Sequence, residues 1–79
     1  MPKRRTRLPS DLPTAQVHNA LRRLGFRLQR EGTKHSCFVD PDDRSRVLVI
    51  PRHSKVKKAL LEGELRSAGI SEADFMAQF

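Results

Sequence analysis

The chain has 79 residues, and sixteen Lys and Arg against nine Asp and Glu give it a formal charge of +7. That is one small basic domain, able to bury only about 60% of the surface its unfolded form exposes, and the polyanion it is most suited to attract is nucleic acid. Cys37 is the single cysteine, which excludes an internal disulfide, and no apolar run is long enough for a membrane span or a signal-peptide core, so a cytoplasmic location is expected. Trp and Tyr are absent beside four Phe, which argues against an aromatic platform for stacked bases and leaves phosphates and shape as the means of recognition.

Residues 1–11 carry Lys3, Arg4, Arg5 and Arg7 with no apolar period and read as a flexible basic arm, serving either phosphate contacts or solubility. Residues 12–79 form the folded domain. Thr14, after Pro13, is the expected N-cap of a helix over residues 14–24, in which Val17, Ala20, Leu21 and Leu24 recur at helical spacing while Arg22 and Arg23 point to solvent. Gly25 ends that helix in the left-handed conformation, with Phe26 folding back over it. His18 borders the apolar stripe and reads as a boundary residue.

Phe26 to Arg30 alternates apolar and polar and predicts a half-buried strand. Gly32-Thr33-Lys34 turns the chain into a second strand, His35 to Asp40, and Pro41-Asp42-Asp43-Arg44 makes the next turn. Arg46-Val47-Leu48-Val49-Ile50 is apolar on both sides, so it is expected to be the central or best-covered strand, ended by Pro51. Residues 52–58 read as a basic loop leading into a second helix, whose buried face is Leu61, Leu65 and Ala68 and whose end is Gly69-Ile70, the device used after the first helix. Gly63 weakens this helix by about 1 kcal/mol relative to Ala. Ser71 caps a short last helix carrying Phe75 and Met76.

This order predicts an α+β fold with an α-β-β-β-α core: a three-stranded antiparallel meander, two helices on one face, and a short C-terminal helix. The double-stranded-RNA-binding fold has that topology, although topology alone assigns no activity.

The chemistry-bearing residue is His35, at a turn-to-strand junction among cations. An imidazole titrates near neutral pH, and cleavage of RNA by its own 2′-hydroxyl needs a proton acceptor, a proton donor and cations for the phosphorane charge. His35 fits the general base or acid, with Lys34, Arg52 and Lys55 as electrostatic partners. His53, Lys57 and Lys58 join Lys34, Arg52 and Lys55 as the expected RNA-binding set, and His53 reads equally well as a loop residue bonding the backbone. Taken without its neighbours, a strand-edge histidine is more often structural. Other chemistries lack support. Cys37 has no partner in a CxxC pair and suits a small buried hydrophobe, the histidines have no zinc spacing, and no carboxylate cluster suits magnesium, so neither metal nor cofactor is expected.

The segments Val17 through Phe26, Gly32-Thr33-Lys34-His35, Pro51-Arg52-His53 and Leu60 through Ile70 resemble, in order and spacing, the HicA-type toxins (the YcfA-like family). The resemblance spans residues 14–76. It implies a double-stranded-RNA-binding-like fold, endoribonuclease (mRNA interferase) activity on mRNA with His35 as the catalytic histidine, and a HicB-type antitoxin partner. Two positions depart from the family pattern: Lys34 replaces the usual serine before the histidine, and Glu64 stands where an aliphatic residue is usual. The competing expectation is a non-catalytic RNA-binding module of the same fold, held to RNA by its charge.

Overall fold

The computed structural model describes residues 8–79, so Lys3, Arg4, Arg5 and Arg7 of the basic arm lie outside the described residues. The elements are β1 (Asp11–Pro13), α1 (Thr14–Arg23), β2 (Arg27–Glu31), β3 (His35–Asp40), β4 (Asp43–Pro51), β5 (Lys55–Lys57), α2 (Lys58–Ser67) and α3 (Glu72–Met76).

Strands β2, β3 and β4 form the antiparallel meander, in that order. The central strand is therefore β3, not the Val- and Leu-rich β4, which corrects the expectation from composition. A meander puts its middle strand in the middle whatever the side chains, and β4 gets its cover from α2 instead. The β3–β4 turn is a two-residue connection, Pro41-Asp42, closed by the Asp42 N–H donating to Asp40 Oδ1 at 2.9 Å. Strand β2 is less buried than its alternation suggests: Phe26, just before it, is in the core, yet Leu28 is 36% exposed. Leu28 sits opposite the buried Phe38, but on an edge strand beside a bulge between Leu28 and Arg30, past the reach of the helices.

One face of the sheet offers Phe38, Leu48 and Ile50, all fully buried, to Val17, Ala20 and Leu21 of α1 and to Leu61 and Leu65 of α2. Each of the larger side chains contributes roughly 1.5–3 kcal/mol by leaving water, and Ala20 less. Both helices end by the same local geometry. Gly25 (φ +95°) and Gly69 (φ +71°) take the left-handed conformation. The next residues then donate backward, Phe26 N–H to Leu21 O at 3.0 Å and Ile70 N–H to Leu65 O at 2.9 Å. Helix α3 begins at Ser71, whose hydroxyl accepts the Asp74 N–H at 3.0 Å, and it buries Phe75 and Met76.

A two-stranded ribbon was not expected. Strand β1 pairs antiparallel with β5, with Leu12 opposite Val56 and both buried, and the Lys58 N–H donates to Ser10 O at 2.9 Å. The sequence reading placed residues 8–11 in the arm, but Leu8 belongs to the core and Asp11 opens β1. Likewise Lys55–Lys57, read as loop, is a strand. Three-residue strands are too short to show a period, and each exists only because the other is beside it. Thr14 is the first helical residue rather than the cap, which is Pro13; its hydroxyl is used elsewhere.

Candidate active site

His35 opens β3 as an exposed side chain, in register with Pro51 of β4. The turn before it is closed by the Gly32 N–H donating to His35 O at 2.8 Å. Past the His35–Pro51 pair, the Arg52 N–H donates to Lys34 O at 2.8 Å, so the residues preceding His35 and His53 are bonded backbone to backbone. The Arg52 guanidinium reaches back over the turn. It donates to Gly32 O at 2.7 Å and pairs with Glu31 at 3.3 Å. The His53 segment is held from the other side by α1: Thr14 Oγ1 donates to His53 O, and the Thr14 N–H to Ser54 O at 3.0 Å.

Three open clefts meet at His35. The smallest, about 360 Å³, is lined by Thr33, Lys34, His35, Arg52 and His53. A larger one, about 730 Å³, is lined by His35, His53, Lys55 and Lys57 together with the apolar Pro51 and Leu60. Leu60 is 41% exposed, an unusual position for a leucine, and it faces this cleft. The third, about 670 Å³, lies on the sheet face away from the helices and brings Arg30, Lys34 and Cys37 beside His35.

The expected residues therefore divide. Lys34, Arg52 and His53 share one cleft with His35, and Lys55, Lys57 and His53 share the other. Lys58 lines neither; it is the exposed first residue of α2. Arg52 is engaged with Glu31 and the turn carbonyl, so its charge is partly countered where it stands. Sequence reasoning missed Thr14 as the anchor of His53, Glu31 as the partner of Arg52, and Leu60 as a wall. No local pattern signals these, because each acts on a residue distant in the chain.

The remaining histidine is turned inward. The His18 ring tilts against Phe38 with centroids 4.9 Å apart, and its buried Nε2 has no hydrogen-bond partner among the described residues. Burial, and after it the Arg22 charge, lower its pKa from the usual 6.5, with Glu31 opposing. Ser36, next to His35 but on the helix face, is fully buried and its hydroxyl is likewise unpartnered. Cys37 is half-buried on the open sheet face rather than in the core, with its thiol directed at Gln29. At the far end of the sheet Asp43 accepts from the Ser45 hydroxyl at 2.6 Å and its N–H at 3.1 Å, which hold its carboxyl below the ordinary range. Among the described residues no three His, Cys, Asp or Glu side chains converge as a metal site, and no helix is long and apolar enough to cross a membrane.

No curated protein matches the sequence. The family described as HicA toxin of bacterial toxin-antitoxin matches residues 14–70, from the first residue of α1 to the one that closes α2, and takes in His35 and His53 on the way. That span is most of the chain, and the protein belongs to the HicA family of toxins of bacterial toxin–antitoxin systems.

Proposed function

We propose that this toxin is an endoribonuclease that cleaves mRNA without a metal, using His35 to take the 2′-hydroxyl proton, and that a HicB-type antitoxin silences it in the cytoplasm. The observation that carries the reading is the setting of His35: an exposed imidazole that opens the central strand, where clefts lined by Lys34, Arg52, Lys55 and Lys57 converge. Cations so placed bind a phosphodiester and stabilise the charge that grows on its oxygens during attack. Lys34 and Arg52 stand at the reacting phosphate, and Lys55 and Lys57 at neighbouring phosphates along the larger cleft. Lys58, farther out, contributes only to the general attraction. The chemistry of the converging side chains is imidazole and cation, and the Glu31 carboxylate is paired with Arg52.

The test is cleavage of a long RNA by wild type and His35→Ala in EDTA. Cutting by wild type alone supports the reading. Binding by both without cutting replaces it with a non-catalytic RNA-binding module.

A further inference from the structure

A transesterification that uses the 2′-hydroxyl needs a second proton-transfer group, because the 5′-oxygen leaves poorly as an alkoxide. Arginine does not release its proton in proteins, and lysine gives its proton up reluctantly near neutral pH. Arg52 is also partly engaged with Glu31 and Gly32 O. The chain has three histidines, and His18 is packed on Phe38 beneath the sheet. That leaves His53, which lines two of the three clefts that meet at His35.

The backbone brings the pair to the same end of the sheet. His35 is opposite Pro51, the last residue of β4, and one step further on the Arg52 N–H still bonds Lys34 O, so His53 comes two residues after the one that faces His35. A phosphate bound in the clefts that both rings line can offer a different oxygen to each imidazole. His53 is also not on a swinging loop. Its own carbonyl accepts from Thr14 Oγ1, the Arg52 N–H before it bonds Lys34 O, and Ser54 O after it accepts from the Thr14 N–H. The segment around His53 is thus held by Thr14 of α1 and by the turn before β3.

We propose that His53 is the general acid of the reaction, protonating the leaving 5′-oxygen while His35 takes the proton from the 2′-hydroxyl; this rests on the ribonuclease reading above. The 2′-oxygen gives its proton to the His35 imidazole and bonds to phosphorus. The bond from phosphorus to the 5′-oxygen breaks, and the His53 imidazolium proton goes to that oxygen. The products are a 2′,3′-cyclic phosphate and a free 5′-hydroxyl, with the protonation states of the two rings exchanged and reset by solvent.

The experiment uses two substrates: an ordinary RNA, and the same RNA with sulfur replacing the 5′-oxygen at one bond that wild type is first shown to cut. A thiolate leaves without a proton, so it removes the need for an acid. His53→Gln is expected to lower kcat on ordinary RNA by about 10²–10⁴-fold with KM little changed, to lose the alkaline limb of the pH–rate profile, and to recover on the sulfur substrate. His35→Ala is expected to stay slow on both. Circular dichroism and RNA affinity report whether each variant is folded and binding. The proposal is overturned if His53→Gln cuts ordinary RNA at the wild-type rate, if its defect lies in KM or is equal on both substrates, or if His35→Ala is the variant that sulfur rescues. A wild type that cuts nothing overturns the ribonuclease reading itself, and the proposal with it.

Discussion

Glu64 Oε1 accepts the backbone N–H of Val49 at 2.8 Å. That N–H points away from β3, on the open edge of the sheet, so a carboxylate on α2 satisfies a donor that an edge strand otherwise presents to solvent or to another chain. The departure from the aliphatic residue usual in the family thus has a structural use. Glu64→Ala is expected to destabilise by about 1–3 kcal/mol, as for a hydrogen bond to a charged acceptor, and Glu64→Gln by less because an acceptor remains. Urea unfolding checks this; equal stability of Glu64→Ala and wild type would show that the bond contributes nothing.

Arg52 acts on the turn before His35 through Glu31 and Gly32 O. Arg52→Ala loses both contacts and leaves His35 on a looser turn. Since small misplacement of a catalytic group is costly, cleavage is expected to fall on the order of 10–100-fold. Arg52→Lys should recover little, because a single ammonium cannot span the two acceptors in the same fork. Single-turnover rates on one RNA measure both; a fully active Arg52→Lys would sink the clamp.

Lys55 and Lys57 flank the buried Val56 and line the same cleft. Their replacement by alanine, in a His35→Ala background that leaves the RNA intact, should lower the slope of log affinity against log salt by about 0.7 for each lysine that meets a single-stranded phosphate. Lys58→Ala should change the slope less. A titration over several salt concentrations separates the three, and equal slopes throughout would remove the cleft from RNA binding.

His18 makes stability depend on pH. Its folded pKa is lowered from 6.5, so on acidification the unfolded chain takes up a proton before the folded one does. Stability from this source is complete above about pH 6.5, declines as pH falls from there towards the depressed folded value, and is constant below it. His18→Leu removes the slope. Thermal melts from pH 7.5 to 5 should show the acid decline in wild type and a flatter profile in the variant; parallel profiles would assign the decline to other groups.

Gly63 lies inside α2, exposed, with open space where a Cβ would stand. Gly63→Ala is expected to stabilise by about 1 kcal/mol, raising the melting temperature by roughly 4–8 °C. Gly25→Ala should do the opposite, since Gly25 needs its φ of +95°. A rise in both or a fall in both would contradict the backbone argument.

Local chemistry was enough for the parts of the molecule whose causes lie within a few residues. The apolar stripe of α1, the glycine closures at Gly25 and Gly69, the Ser71 cap and the Pro41-Asp42 turn are all set by neighbours in the chain, and all are present. So is the place of His35 at the start of a strand after a turn. Other features needed partners distant in sequence. The β1–β5 ribbon, the central position of β3 over the more apolar β4, the turn of Thr14 from cap to anchor, and the hydrogen bond from Val49 to Glu64 each join segments that carry no mark of one another. The meeting of His53 with His35 is of the same kind. A periodicity records which way a side chain faces, but only the closed chain brings two faces together, and the clefts that His35 and His53 share are made by that closure.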